Sequence, residues 1–142
     1  MIQRKQTLFL LGSTIISVLL LYLPLFEMLP ETIGNSVEQF TIPQNSLLLL
    51  LNGAIGIFSF ISIFLFKNRN IQIRLCKLAL LLTCIMIFLL FFLADGLISG
   101  RNLKIHYVYG SYLPVIQILI IFLAAFFIKQ DEKLVRSADR LR

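Results

Sequence analysis

Four long apolar runs alternate with polar segments along the chain, over residues 7–26, 46–66, 75–94 and 112–128. At ~1.5 Å of rise per residue, each is long enough as a helix to cross a hydrocarbon layer of ~30 Å. None alternates with period two, so membrane β-strands are excluded. Backbone polar groups in lipid must be satisfied inside their own segment, which leaves the helix. The pattern predicts an all-α membrane protein, a single antiparallel four-transmembrane-helix bundle.

The first run follows Arg4 and Lys5, as the apolar core of a signal peptide would. It is longer than such cores usually are, and Glu27-Met28-Leu29-Pro30-Glu31 is a poor cleavage site, so we expect a retained helix.

The polar segments add detail. The connection over 67–74 is short, so helices two and three should be antiparallel neighbours. The segments 27–45 and 95–111 are longer, and each holds a β-prone piece. In 103–109, Leu103, Ile105, Tyr107 and Tyr109 alternate onto one face, and Pro43 closes the run 37–42. These two pieces could pair as a short β-hairpin-like periplasmic cap. An interfacial aromatic belt would account for Tyr107, Tyr109 and Tyr112 without one. The tail, 129–142, lacks Gly and Pro and should continue the last helix into the cytoplasm. Leu134, Ala138 and Leu141 form an apolar stripe on it, and Arg136 and Arg140 mark a charged face beside that stripe. The tail is either a solvated topological anchor or a docking element for a partner.

Composition sharpens the class. The chain is 58% hydrophobic and 14% charged, with mean hydropathy +0.91. A soluble domain is about 45–50% apolar and about 25% charged, and a disordered chain is less apolar still. Both are excluded. The net charge of +6 has a topological explanation. Eleven of the thirteen Lys and Arg flank the ends that the two termini share, and only Arg101 and Lys104 lie on the other side. Basic loops stay in the cytoplasm, so both termini should be cytoplasmic. The lipid bilayer is thus the first partner, and no nucleic acid is needed to explain the charge.

Little catalytic chemistry is on offer. The runs hold no Asp, Glu, Lys, Arg or His away from their ends, which disfavours an ion-coupled transporter. Their strongest polar groups are two amides, Asn52 and Gln117, which could meet each other across the bundle. We take them as candidate helix-to-helix or ligand contacts. Gly12, Ser13, Ser17, Gly56 and Ser59 mark places of close helix approach. Cys76 and Cys84 are eight residues apart, ~12 Å along one helix, too far for a disulfide. His106 is the single histidine, and a triad of Ser99 or Ser111 with His106 and Asp95 has no supporting motif. We therefore expect no enzyme activity, no metal and no cofactor.

The opening Met1-Ile2-Gln3-Arg4-Lys5-Gln6-Thr7-Leu8 and the ending 131–142, DEKLVRSADRLR, resemble the two ends of a known group. It is domain-of-unknown-function family 4293, small inner-membrane proteins of Bacteroidota, and its length and four-span plan agree with this chain. The resemblance implies an inner-membrane location and carries no activity, cofactor or catalytic residue. Together these readings predict a non-enzymatic accessory or scaffolding subunit of a membrane assembly. Its partners would be other integral membrane subunits or further copies of itself. The alternative is a small component that binds or transports lipid or another hydrophobic molecule.

Overall fold

The computed structural model describes residues 5–29, 37–65, 68–101 and 104–139. Its helices are α1 (Lys5–Tyr22), α2 (Ser46–Phe64), α3 (Arg69–Arg101) and α4 (Tyr109–Asp139). Its strands are β1 (Phe26–Leu29), β2 (Glu38–Phe40) and β3 (Lys104–Tyr107), and a 3-10 turn spans Ile42–Gln44.

The helices pack as a closed square, α1 on α2, α2 on α3, α3 on α4 and α4 on α1. Each buries one seam. In α1 the seam is Gln6, Leu10, Ser13, Ser17 and Leu20; in α2 it is Leu48, Asn52, Ile55, Ser59 and Ser62. In α3 it runs from Gln72 through Cys76, Ala79, Thr83, Met86 and Leu90 to Ala94. In α4 it is Gly110, Pro114, Gln117, Ile121, Ala124 and Ile128. The steps are three and four residues, the 3.5-residue repeat of helices that interlock side chain into gap. The outside is the more apolar surface. Leu50, Phe88, Phe64 and Phe92 are 64–71% exposed, whereas nine polar side chains are buried among the described residues. Polar groups inside and hydrocarbon outside is the arrangement a bilayer demands. Among the described residues, α2, α3 and α4 are long and apolar enough to cross a membrane. The apolar part of α1, Gln6–Tyr22, is shorter.

Three boundaries differ from the sequence reading. The first run, expected as helix to residue 26, stops at Tyr22. Pro24 lacks an amide hydrogen and pushes Leu23 out of the helical region. Helix three was expected over 75–94 and runs from Arg69 to Arg101; helix four starts at Tyr109 rather than at 112 and continues through the tail to Asp139, as expected. Loss of hydropathy marks where lipid would end, not where backbone hydrogen bonding ends. The start of α2 at Ser46 agrees with expectation and has a local cause: the Asn45 side-chain oxygen accepts from the amides of Leu47 and Leu48.

The cap is a sheet with a third strand. Strands do form at 38–40 and 104–107, but they do not pair with each other. β1 lies between them, antiparallel to both, in the order β2-β1-β3. Phe26 faces Phe40 on one side and Tyr107 on the other. The Phe26 and Phe40 rings stack at 4.5 Å, with Phe26 fully buried against the bundle. Of the central strand, Phe26 ends the first apolar run and 27–29 open the polar segment that follows it. Both expected strand pieces thus form, and the sequence reading missed the strand that joins them.

Candidate functional site

The described polar chemistry of the interior gathers around α1. Ser13 and Ser17 are one turn apart on its buried seam. From α2, Ser59 lies 3.0 Å from Ser13, hydroxyl to hydroxyl, and the Asn52 amide donates to the Ser17 carbonyl oxygen at 2.9 Å. From α4, the Gln117 amide donates to the Ser17 hydroxyl at 2.7 Å and reaches the Ser13 carbonyl oxygen at 3.2 Å. The sequence places Asn52 and Gln117 where they could meet. Both do reach the bundle interior, but α1 stands between their helices and each bonds to Ser17 instead. The serines, read from sequence as packing residues, are the shared partners.

Glycine makes the approach possible. A Cβ on Gly56 would fall 3.1 Å from the Ser17 Cβ, so α1 and α2 touch there almost backbone to backbone. One turn away, Gly53 is different: a Cβ there would meet nothing within 4 Å. Gly53 is on the exposed side of α2, where a groove of about 290 Å³ runs between the two helices. Val18, Leu21, Ile57 and Phe60 form its rims, and Asn52 and Ser17 lie at its base. Val18, Gly53, Ile57 and Phe60 are exposed, so the groove opens on the outside of the bundle. Gln117 does not line it.

Donors and acceptors do not balance. The carbonyl oxygens of Asn52 and Gln117 are buried and have no hydrogen-bond partner. Two further amides, Gln6 and Gln72, share this state at the other end of the bundle. Gln72 donates to the Ser62 carbonyl oxygen at 2.9 Å, and Arg69 nearby donates to the Asp131 carbonyl oxygen at 2.7 Å. Gln6 and Gln72 lie outside the apolar runs 7–26 and 75–94. Their signal was present, because both continue the three-and-four-residue step of their helix seams.

The other candidates are dispersed. Asp95 and His106 are both exposed, and His106 sits opposite Glu27 in the sheet. The Ser111 hydroxyl donates to the Val108 carbonyl oxygen, a local turn contact. Among the described residues, no three His, Cys, Asp or Glu side chains are grouped to hold a metal ion. Cys76 is buried, Cys84 is exposed, and neither is in a disulfide. Leu134, Arg136 and Ala138 lie on the helical backbone of α4, as the tail reading expects. Arg140 and Leu141 fall outside the described residues.

Comparison with known families now identifies the group. Residues 2–141 match the model of the domain of unknown function DUF4293, and the chain belongs to that family. No curated protein and no solved structure matches it.

Proposed function

We propose that the chain is a four-span inner-membrane protein with both termini cytoplasmic, serving as a non-enzymatic accessory or scaffolding subunit of a membrane assembly. On this reading α1 is the fourth span, and the sheet is a periplasmic cap that completes its short outer end. All four tyrosines, Tyr22, Tyr107, Tyr109 and Tyr112, sit at the sheet end. Arg69, Arg74, Lys129 and Lys133 sit at the other. The tyrosines suit a membrane–water rim, and the basic residues at the opposite end support that orientation.

One observation carries the scaffolding role. α4 continues eight residues past Asp131, the residue whose carbonyl meets the first turn of α3. At ~1.5 Å per residue this puts ~12 Å of helix beyond the packed end of α3. That arm is the surface we assign to a partner. The test is gentle purification from native membranes, with the tag placed in the loop between β1 and β2 so that the arm stays free. A stoichiometric integral-membrane partner is expected, and its recovery should fall at least tenfold in the double variant Leu134→Glu, Leu141→Glu. Recovery of the chain alone, or a partner unaffected by the double variant, would sink the arm as a docking element.

The second reading, a component that binds a lipid or other hydrophobic molecule, is favoured by the groove beside Asn52. It is compatible with the first, because the groove and the arm lie on different parts of the bundle.

A further inference from the structure

We propose that Arg74 and Lys77, on the outward side of α3, bind the phosphate of an anionic phospholipid whose acyl chains lie along the bundle. The proposal rests on the membrane reading above and on neither the arm nor the groove.

Depth comes first. Two hydrogen bonds align the helices at the end opposite the sheet. Arg69 donates to the Asp131 carbonyl oxygen of α4, and Gln72 to the Ser62 carbonyl oxygen of α2. Arg74 and Lys77 lie further along α3 than Arg69, ~7.5 and ~12 Å deeper into the bundle. Both are exposed, and at a spacing of three residues they share one side of the helix. The same depths fall near Phe126 and Leu123 on α4, and near Phe60 and Ile57 on α2. All four of these are exposed, so the neighbouring helices show hydrocarbon where α3 shows two cations. Residues 78–94, between Lys77 and Asp95, span ~25 Å as helix, short of a ~30 Å hydrocarbon layer. With Asp95 at the outer rim, Lys77 starts inside the hydrocarbon, and its stem carries the charge back to the headgroup level.

Charge selects the ligand. The chain has no Asp or Glu in 5–26, 43–94 or 96–130, so the spanning helices offer these cations no counter-ion. An unpaired charge at this depth is costly, and a lipid phosphate is the anion the bilayer brings there. Arg74 can hold two phosphate oxygens in its planar fork, and Lys77 adds a point charge one turn deeper. A zwitterionic headgroup brings its own cation to the same place, whereas an anionic one does not. Leu81, Ile85 and Phe88 continue the exposed side of α3 as an apolar stripe for an acyl chain. A soluble phosphate has no use for that stripe.

The chain contains no tryptophan, so one introduced indole reports without background. Leu81→Trp places it one turn from Lys77, and Phe60→Trp places it at similar depth on the exposed side of α2. Each purified full-length variant is put into phosphatidylcholine bilayers. Phosphatidylglycerol or phosphatidylcholine with brominated acyl chains, which quench indole on contact, is then titrated in. At Leu81→Trp, half-maximal quenching should need a mole fraction about five- to thirtyfold lower for the glycerol lipid. At Phe60→Trp, where diffuse surface charge alone acts, the preference should be about threefold weaker or less still.

Second changes locate the effect. Arg74→Gln with Lys77→Gln should bring the preference at Leu81→Trp down to the Phe60→Trp level. Lys133→Gln with Arg136→Gln removes as much charge from the arm and should leave the preference in place. Excess soluble glycerol phosphate should not compete; competition would show that free phosphate, not lipid, is the ligand, and would overturn the proposal. Equal preference at both reporters, or a preference that survives the double change on α3, also overturns it, while quenching itself upholds the membrane reading. If neither lipid quenches either reporter, the outside of the bundle does not face lipid, and the membrane reading fails together with the proposal.

Discussion

The interface that α1 makes with its neighbours and the interface between α3 and α4 solve one packing problem differently. Around α1 the contact is polar and close. Ser13 and Ser17 collect bonds from Ser59, Asn52 and Gln117, and Gly56 lets the backbones approach. The seams of α3 and α4 are apolar over long stretches, Met86, Leu90 and Ala94 toward the sheet end and Ile121, Ala124 and Ile128 toward the other. Thr83, buried on the α3 seam, donates back to the Ala79 carbonyl oxygen of its own helix. Helices in lipid gain little by hiding hydrocarbon from hydrocarbon, so association rests on close packing and on polar ties. Despite their length, α3 and α4 pack on each other no more extensively than α1 packs on α2 or α4. α1 has 18 residues against 33 and 31 for α3 and α4, and its ties are correspondingly specific.

The largest effect should come where α4 meets the turn after α1. A Cβ on Gly110 would overlap the Pro24 carbonyl oxygen, which is backbone and cannot rotate away. Gly110→Val should therefore cost several kcal/mol, on the order of 4, and displace the start of α4. Thermal unfolding in mild detergent would register this as loss of the monodisperse, cooperatively melting species. A normal melting profile would show that the α1–α4 contact is not close at this point.

The two glycines of α2 give a signed comparison of moderate size. Gly56→Ala puts a methyl 3.1 Å from the Ser17 Cβ, so α1 and α2 must part slightly and the Asn52 bond to Ser17 must stretch. We expect a loss of about 1–2 kcal/mol. Gly53→Ala meets nothing, and alanine holds a helix better than glycine, so stability should be unchanged or rise by up to about 1 kcal/mol. Denaturing-detergent titrations of the two proteins should shift in opposite directions. Equal shifts would mean that α1 and α2 are no closer at residue 56 than at 53.

How much of this could be read beforehand depends on what each feature is made of. The helices were legible because their signal is hydropathy summed over about twenty residues. The edge strands were legible from alternation in 103–109 and β-prone residues in 37–42. The central strand was not, because Phe26 continues a helical apolar run unbroken and only the geometry at Pro24 ends it. Asn52 and Gln117 stood out as amides among hydrocarbon. Their partners did not, since serine in a span reads equally as a packing residue. The groove was illegible altogether: it arises from Gly53 and Gly56 facing different neighbours, which is a property of the pair of helices.

The smallest effect is the one that tests the comparison most directly. Asn52→Leu and Gln117→Leu each remove a donor from Ser17, and each also removes a buried oxygen that had no partner. The lost bond and the relieved oxygen oppose one another, so each single change should cost only about 0.5–1 kcal/mol. The two share one residue, so the double variant should depart from the sum of the singles by about 0.5 kcal/mol. Thr83→Val removes a bond that ties no helix to another, so it should cost less than about 0.5 kcal/mol and add independently to either change. A double-mutant cycle measured by detergent-induced unfolding separates the cases. Additivity between Asn52 and Gln117 would mean that Ser17 does not couple α2 to α4. Coupling of Thr83 to either of them would mean that the polar ties of α1 extend across the whole bundle, and the contrast between its two halves would then be lost.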